Sequence, residues 1–185
     1  MNHRKMVRSQ AKAQRDALTP EERKLKSSFV CKRILEMEKF RQSEYLLVYN
    51  AIGSEVQMDS LIKESIMINK KVYYPKANSE DRSMEFYRVD DFRDFETGPY
   101  GIWEPRANEA TRFFGKSGFV IVPGVGFDAN RYRLGYGAGY YDRYLERFPQ
   151  LIKVMAAFDC QQVKDTFPMD TDIKMDYVMT ETKLL

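Results

Sequence analysis

Residues 119–145 read FVIVPGVGFDANRYRLGYGAGYYDRYL, and this stretch decides the fold class. The apolar run 119–122 predicts a strand, and the loop after it ends in three alternating glycines, Gly135, Gly137 and Gly139. Glycines have no Cβ, so the backbone amides around them can converge on an anion, and the positive end of a following helix favours phosphate. The stretch therefore predicts a strand, a phosphate-binding loop and a helix in succession.

This glycine loop differs from two familiar phosphate-binding motifs. A Walker A loop ends in Gly-Lys-Ser/Thr, and the dinucleotide fingerprint GxGxxG needs glycine where Tyr140 stands. A flexible turn that feeds a helix is the alternative interpretation. The flanking residues Arg133 and Asp142 favour the phosphate role, although an acid in the first turn of a helix is also favoured by the helix dipole alone.

Short apolar runs of strand type recur along the chain and alternate with helical segments. The further strands are predicted at 45–49, 71–75, 84–89, 154–158 and 177–180. Helices are predicted at 4–18, from the Thr19-Pro20 capping signal onward, and at 56–69, whereas 90–111 is expected to be an irregular, functional loop. We therefore predict an α/β fold, a three-layer sandwich with a mainly parallel central sheet flanked by helices, in a single domain over 1–185.

Composition excludes several classes of site. His3 is the only histidine, which excludes Ser-His-Asp and Cys-His catalysis and histidine-built zinc sites, but leaves phosphoryl transfer open. Cys31 and Cys160 form no CxxC pair, so two reduced structural thiols are expected. No signal-peptide pattern and no long apolar run occurs, so the sequence predicts a cytoplasmic protein without a membrane partner.

Basic residues are concentrated near the start, where residues 1–41 hold 12 Lys and Arg against 5 Asp and Glu. Arg4, Arg8, Lys12 and Arg15 recur every three or four residues, so they share one face of the predicted helix. Such a row is commonly a solvated face. With the many tyrosines it also suits a nucleic-acid-binding module, and a third alternative is a sugar-phosphate isomerase or transferase that uses no ATP.

Two segments around the glycine loop, 123–128 and 133–142, together closely resemble the signature of the 5-formyltetrahydrofolate cyclo-ligase family. The likeness extends through 54–56, 101–105 and 172–177, and so covers nearly the whole chain. The resemblance implies conversion of 5-formyltetrahydrofolate to 5,10-methenyltetrahydrofolate with ATP as co-substrate and Mg²⁺ as cofactor. A pI of about 8.7, plentiful acidic residues and the lack of a recognised RNA-binding signature argue against a nucleic-acid partner, and we expect a monomer.

The resemblance further implies roles for individual residues. The implied nucleotide contacts are Arg4, Lys5 and Arg8 near the start, with Arg4 or Lys5 as the family's lysine, and Arg133, Leu134, Gly135, Tyr136, Gly137, Ala138, Gly139, Tyr140 and Tyr141 in the loop. The implied substrate contacts are Asn50, Glu55, Trp103, Tyr136, Gly137, Ala138, Gly139 and Tyr140. Asp142 and Asp172 would hold the metal, Asp176 would be structural, and Arg133, Tyr140 and Asp142 would be catalytic.

Three of these residues also have ordinary structural interpretations. Glu55 could be the N-terminal acid of a helix that begins at Val56. Trp103 could fill the core, and Asn50 could serve only in a turn after the strand.

Overall fold

A computed structural model describes residues 3–98, 101–115 and 117–185 of the chain. The helices are α1 (His3–Asp16), α2 (Pro20–Glu36), α3 (Glu38–Gln42), α4 (Asp59–Met67) and α5 (Tyr140–Arg147). The strands are β1 (Tyr45–Leu47), β2 (Lys71–Ala77), β3 (Met84–Arg88), β4 (Phe95–Thr97), β5 (Trp103–Pro105), β6 (Phe119–Val122), β7 (Gly126–Phe127), β8 (Arg133–Leu134), β9 (Ile152–Ala156) and β10 (Tyr177–Met179).

Six strands form the central sheet in the order β10-β9-β6-β1-β2-β3. All neighbouring pairs are parallel except β2 with β3, which form an antiparallel edge. The chain leaves β1 through α4 towards β2 and leaves β6 through α5 towards β9, so the connections run in opposite directions from the central pair. Ligands of open α/β sheets bind at such a switch point, beyond the carboxyl ends of the strands.

The sheet is covered on both faces, as the three-layer prediction requires. On one face Leu46 packs in a cluster with Val30 of α2 and Leu61 of α4. On the other face Leu47 packs in a second cluster with Leu145 of α5. Successive strand residues point to opposite faces, so a strand buried on both sides must be apolar throughout. This explains the unbroken apolar run of β6 and confirms the predicted α/β fold.

The start of α2 follows the predicted capping signal. The Glu22 backbone N–H donates to Thr19 Oγ1 at 3.2 Å, and the Thr19 N–H donates to Glu22 Oε2 at 2.8 Å. Pro20 occupies the first turn, where its missing N–H costs nothing. This reciprocal capping box pairs two backbone N–H groups at the helix N-terminus and so fixes the start of α2.

Two sequence-based predictions of local structure are wrong. The helix expected from residue 56 begins at Asp59, because Val56 and Met58 are buried in the core and Met58, the N-cap residue, has non-helical dihedral angles. The stretch 90–111 is more regular than expected, since β4 and β5 pair as an antiparallel hairpin within it. Within 3–98, 101–115 and 117–185, none of the helices combines the length and the apolar character needed to cross a membrane.

Candidate functional site

A cavity of about 710 Å³ lies beyond the carboxyl ends of β1 and β6, at the switch point of the sheet. Its volume is in the range of small-molecule sites. Of the residues to which the family resemblance assigns a ligand or metal contact, all line this cavity except Lys5 and Leu134. Lys5 is exposed on α1, and Leu134 is fully buried with its carbonyl accepting from the Val125 N–H. The structure therefore gathers widely separated parts of the chain around one space.

The glycine loop connects β8 to α5 along one wall of the cavity. Gly137 and Gly139 have φ angles of +106° and +72°, and Gly139 is the N-cap residue of α5. Residues with a Cβ rarely adopt such angles, so the conformation requires glycine at both positions. The positive end of α5 lies at this wall, where an anion would be stabilised.

Arg133 lies at the start of the glycine loop and holds it to α5. Its side chain is almost fully buried, and Nη2 lies 2.9 Å from Asp142 Oδ2 as an ion pair across the start of α5. Its Nε has no hydrogen-bond partner among the described residues, which leaves a buried donor available. Gly135 accommodates this guanidinium, since a Cβ there would lie 2.6 Å from Arg133 Nη1.

Two acids, Asp142 and Asp172, lie close together beside the loop, because the Ile173 N–H donates to Asp142 Oδ1 at 3.2 Å. Asp172 forms an ion pair with Arg4 and accepts from the Met169 N–H at 2.7 Å. Burial acts to raise the pKa of Asp172, but the hydrogen bonds from Arg4 and Met169 outweigh it and the pKa is lowered. The Asp172 carboxylate is therefore charged, and both acids are paired with an arginine.

The described residues contain no cluster of three or more acidic, cysteine or histidine side chains that could hold a metal by themselves. The pair of carboxylates nevertheless fits Mg²⁺, which commonly binds one or two protein carboxylates and takes phosphate oxygens and waters as its other ligands.

Helix α1 contributes cations to the cavity. Arg8 Nε donates to the Gly135 carbonyl at 2.8 Å. Arg4 also lines the cavity, where its guanidinium donates to the Asp172 carboxylate. Burial and the neighbouring charge of Arg4 lower the pKa of the Arg8 guanidinium, because both disfavour its charged form. A bound anion would stabilise that charge. Lys12 instead faces solvent and pairs with Asp16. The predicted row of cations therefore does not act as one surface, because Arg4 and Arg8 line the cavity and Lys12 does not.

Arg15, which the sequence named only as a member of the basic row of α1, contacts residues of the site without lining the cavity. It is 2% exposed, and it donates to Ser54 Oγ at 2.9 Å, to the Gly124 carbonyl at 3.2 Å and to Tyr136 Oη at 3.1 Å. Its position seven residues after Arg8 places it on the same helix face, and this spacing is the sequence signal that could have identified it. Arg15 therefore links α1, the end of β6 and the glycine loop.

Glu55 is buried at the end of the loop that follows β1. It is 4% exposed, and its carboxylate accepts from Tyr136 Oη at 2.6 Å and from the Ile52 N–H at 3.0 Å. Burial raises the pKa of Glu55, while these two hydrogen bonds lower it, and burial prevails. Burial and the Glu55 charge also raise the pKa of Tyr136 to about 12. Because α4 begins only at Asp59, Glu55 is not a helix N-terminal acid.

The hairpin of β4 and β5 forms another wall of the cavity. Trp103 is 48% exposed and lines the cavity, so it does not fill the core. Asn50 Nδ2 donates to the Trp103 carbonyl at 2.8 Å, which ties the end of β1 to the hairpin. Glu104, the neighbour of Trp103, is also buried in this wall and was not singled out from the sequence.

Comparison with known proteins gives one consistent result. The model of the 5-formyltetrahydrofolate cyclo-ligase family matches residues 1–181. A probable 5-formyltetrahydrofolate cyclo-ligase from Caenorhabditis elegans is 28% identical over 89% of this chain and 85% of its own. The 5-formyltetrahydrofolate cyclo-ligase of Mus musculus is 27% identical over 95% of this chain and 92% of its own.

Solved structures agree with these relatives. The 5,10-methenyltetrahydrofolate synthetase of Aquifex aeolicus superimposes with a TM-score of 0.84 at 32% identity, over 98% of this chain and 91% of that one. The synthetase from Mycoplasma pneumoniae shares the fold with a TM-score of 0.77 at 22% identity, over 97% of this chain and 99% of that one.

Proposed function

The chain belongs to the 5-formyltetrahydrofolate cyclo-ligase family, and we propose that it converts 5-formyltetrahydrofolate to 5,10-methenyltetrahydrofolate at the expense of ATP. Membership makes the protein a ligase of folate metabolism. We further propose that the reaction depends on ATP and magnesium and that it releases ADP and phosphate. The roles of single residues given below are also proposals.

One observation carries the proposal: a glycine loop at a helix N-terminus shares a cavity with an exposed tryptophan and a buried glutamate. The loop, Arg8 and the buried Nε of Arg133 suit the phosphates of a nucleotide. Trp103 offers a face for a flat ring, and Glu55 offers a buried carboxylate. Two ligands of different chemistry can thus meet in one space.

The reaction requires a poor leaving group to be activated. The formyl oxygen attacks the γ-phosphorus, and the bond from that phosphorus to the ADP oxygen breaks. The second folate nitrogen, N10, then attacks the formyl carbon, the carbon–oxygen bond breaks, phosphate departs, and N10 loses its proton. The chain's contribution is to hold these groups in line and to stabilise the charge on the transferring phosphoryl group.

Arg133 and Arg8 would stabilise the phosphates, and the loop from Tyr136 to Tyr140 would separate the nucleotide from the folate. Asp142 and Asp172 would hold Mg²⁺ in place of their present contacts with Arg133 and Arg4. A bound magnesium ion would neutralise charge on the phosphate oxygens. Release from the acids would free both arginines to contact the nucleotide.

The decisive experiment follows the absorbance of methenyltetrahydrofolate after purified protein is mixed with 5-formyltetrahydrofolate, ATP and magnesium. Product is expected only when all three are present, together with one ADP per product. Absence of product would defeat the proposal. Calorimetry without detectable ATP affinity in the presence of magnesium would instead favour the sugar-phosphate alternative.

The nucleic-acid alternative depended on a continuous basic face along α1. Arg15 is buried and Arg4 pairs with Asp172, so these cations do not form one exposed row, which weakens that alternative. A monomeric state, a cytoplasmic location and a single domain over 1–185 belong to the same proposal. Light scattering, cell fractionation and a single cooperative unfolding transition would test them.

A further inference from the structure

Glu104 is a buried acid with a spare acceptor in the cavity wall. The residue is 7% exposed, and its Oε2 has no hydrogen-bond partner among the described residues. The nearby cation is engaged elsewhere, because Lys76 donates to the Glu96 carboxylate and to the Pro105 carbonyl. Buried polar atoms in proteins are normally paired, so this oxygen requires an explanation.

The surrounding chain is shaped around this side chain. A Cβ built on Gly98 would lie 2.4 Å from Glu104 Oε2, so any larger residue at 98 would displace the carboxyl group. The register of the hairpin pairs Thr97 with Trp103 and Glu96 with Glu104. With the bond from Asn50 to the Trp103 carbonyl, these contacts hold Glu104 in a defined position.

The two buried acids of the cavity differ in how much hydrogen-bonding capacity they have left. Glu55 already accepts from the Tyr136 hydroxyl and the Ile52 N–H. Burial raises the pKa of the Glu104 carboxyl, with smaller opposing effects from Lys76 and from a hydrogen bond to the Ala77 backbone. Among the buried acids, Glu104 is therefore the one that retains an oxygen for a ligand donor.

We propose that Glu104 is a specificity residue that accepts hydrogen bonds from the pyrimidine half of the pterin ring. This inference rests on the proposed function. That half of the ring carries an exocyclic amino group and a neighbouring ring N–H, which present two donors side by side. Glu104 Oε2 can accept from one of these donors, and the oxygen that accepts from the Ala77 backbone keeps a second lone pair for the other.

The neighbours of Glu104 in the cavity suit a flat ring rather than a phosphate. They are apolar or aromatic, and they belong to β2 and to the hairpin: Pro75, Ala77, Ile102 and Trp103. The arginines of α1 contact Asp172 and Gly135 on other elements. An unpaired carboxylate would repel a triphosphate but would attract N–H donors.

Trp103 allows binding to be measured without turnover, because it is the only tryptophan of the chain and lines the cavity. Its fluorescence would be followed while wild type and Glu104→Gln are titrated with 5-formyltetrahydrofolate and with an analogue in which hydrogen replaces the exocyclic amino group. The wild type is expected to bind the parent roughly 10- to 100-fold more tightly than the analogue. In Glu104→Gln the ratio of the two dissociation constants should fall to near one, while the Kd of ATP stays unchanged.

Equal ratios in wild type and Glu104→Gln would overturn the inference. The ratio of the two dissociation constants is taken within one variant, so a loss of folded protein affects both ligands equally and cancels. The ratio therefore separates ligand recognition from a purely structural role of Glu104. Should Glu104→Gln fail to fold, Glu104→Asp is the second variant. Its carboxylate is one methylene shorter, and full wild-type discrimination in it would also overturn the inference.

The proposed function and this inference fail in different ways. A wild type that binds the parent selectively but makes no methenyl product would contradict the proposed function alone. An active wild type whose discrimination survives Glu104→Gln would contradict only the role of Glu104. A wild type without affinity for the parent would contradict both.

Discussion

Tyr136 Oη lies 2.6 Å from Glu55 Oε1 and donates a hydrogen bond to it, which joins the glycine loop to the segment after β1. Arg15 donates to the same phenol oxygen at 3.1 Å from the opposite side. The phenol is therefore held between a cation from α1 and an anion from the loop that follows β1. The conformation of the loop and the ionisation of Glu55 are coupled through this one hydroxyl group.

Tyr136→Phe tests this coupling. Removing the hydroxyl removes a hydrogen bond that lowers the pKa of Glu55, so that pKa should rise further. If the charged carboxylate binds substrate, the acidic limb of the profile of kcat/KM against pH should move upward by roughly one pH unit. An unmoved limb would show that Glu55 does not control binding.

Glu55 should also make stability depend on pH. Burial raises its pKa in the folded protein above the ordinary value of 4.5, so the folded state binds the proton more tightly than the unfolded state. The resulting stabilisation is present below pH 4.5 and is lost as the pH rises through the folded pKa. In Glu55→Gln, urea unfolding at a series of pH values should show a flatter decline above pH 4.5, and an equally steep decline would refute the assignment.

Asp142→Asn should strongly lower turnover because it removes a metal-binding charge. It should also lower the free energy of unfolding by about 1–3 kcal/mol, since it leaves the buried Arg133 guanidinium without its ion-pair partner. Asp176→Asn is the matched control, because Asp176 pairs with Lys153 and does not line the cavity. Wild-type turnover in Asp142→Asn would contradict the metal role.

Arg8→Ala should raise the KM of ATP by roughly tenfold and change the KM of the folate much less, because its guanidinium lies against the phosphate loop. Lys12→Ala is a suitable control on the same helix, one turn further along and facing solvent. If both variants had the same KM for ATP, Arg8 would be an ordinary surface cation.

Arg4 and Lys5 compete for the position of the family's lysine, and the structure makes them distinguishable. Arg4 lines the cavity and pairs with Asp172, whereas Lys5 is exposed and does not line it. Arg4→Ala is therefore expected to weaken ATP binding about five- to tenfold, and Lys5→Ala to leave it unchanged. Isothermal titration of each variant with ATP and magnesium would decide, and the reverse order would assign the role to Lys5.

The fold was largely predictable because its strands are buried on both faces and so read as unbroken apolar runs, of which 119–122 is the clearest. The helix start at Asp59 was missed because local sequence does not reveal that Val56 and Met58 are core residues. Strand β3 was predicted, but its antiparallel pairing with β2 and the hairpin in 90–111 could not be inferred from periodicity, since pairing partners are set by tertiary packing.

The candidate site was predictable where its residues lie in the glycine loop, whose spacing has a physical meaning of its own. The roles of Arg15 and Glu104 were not predicted, because burial distinguishes these residues and the sequence does not report the burial of charged residues. Lys5 and Leu134 illustrate the opposite case. Each neighbours a cavity residue in sequence, but the periodicity of a helix or strand turns its side chain away.

The pairing of β1 with β6 has a consequence for the order of folding. Leu46 lies opposite Phe119 at the centre of the sheet, so the two strands that form the base of the cavity are far apart in sequence. Contacts of this kind require a long loop to close before any stabilisation is gained, which slows their formation. During synthesis β1 must wait, with an apolar edge exposed, until residue 119 has emerged from the ribosome.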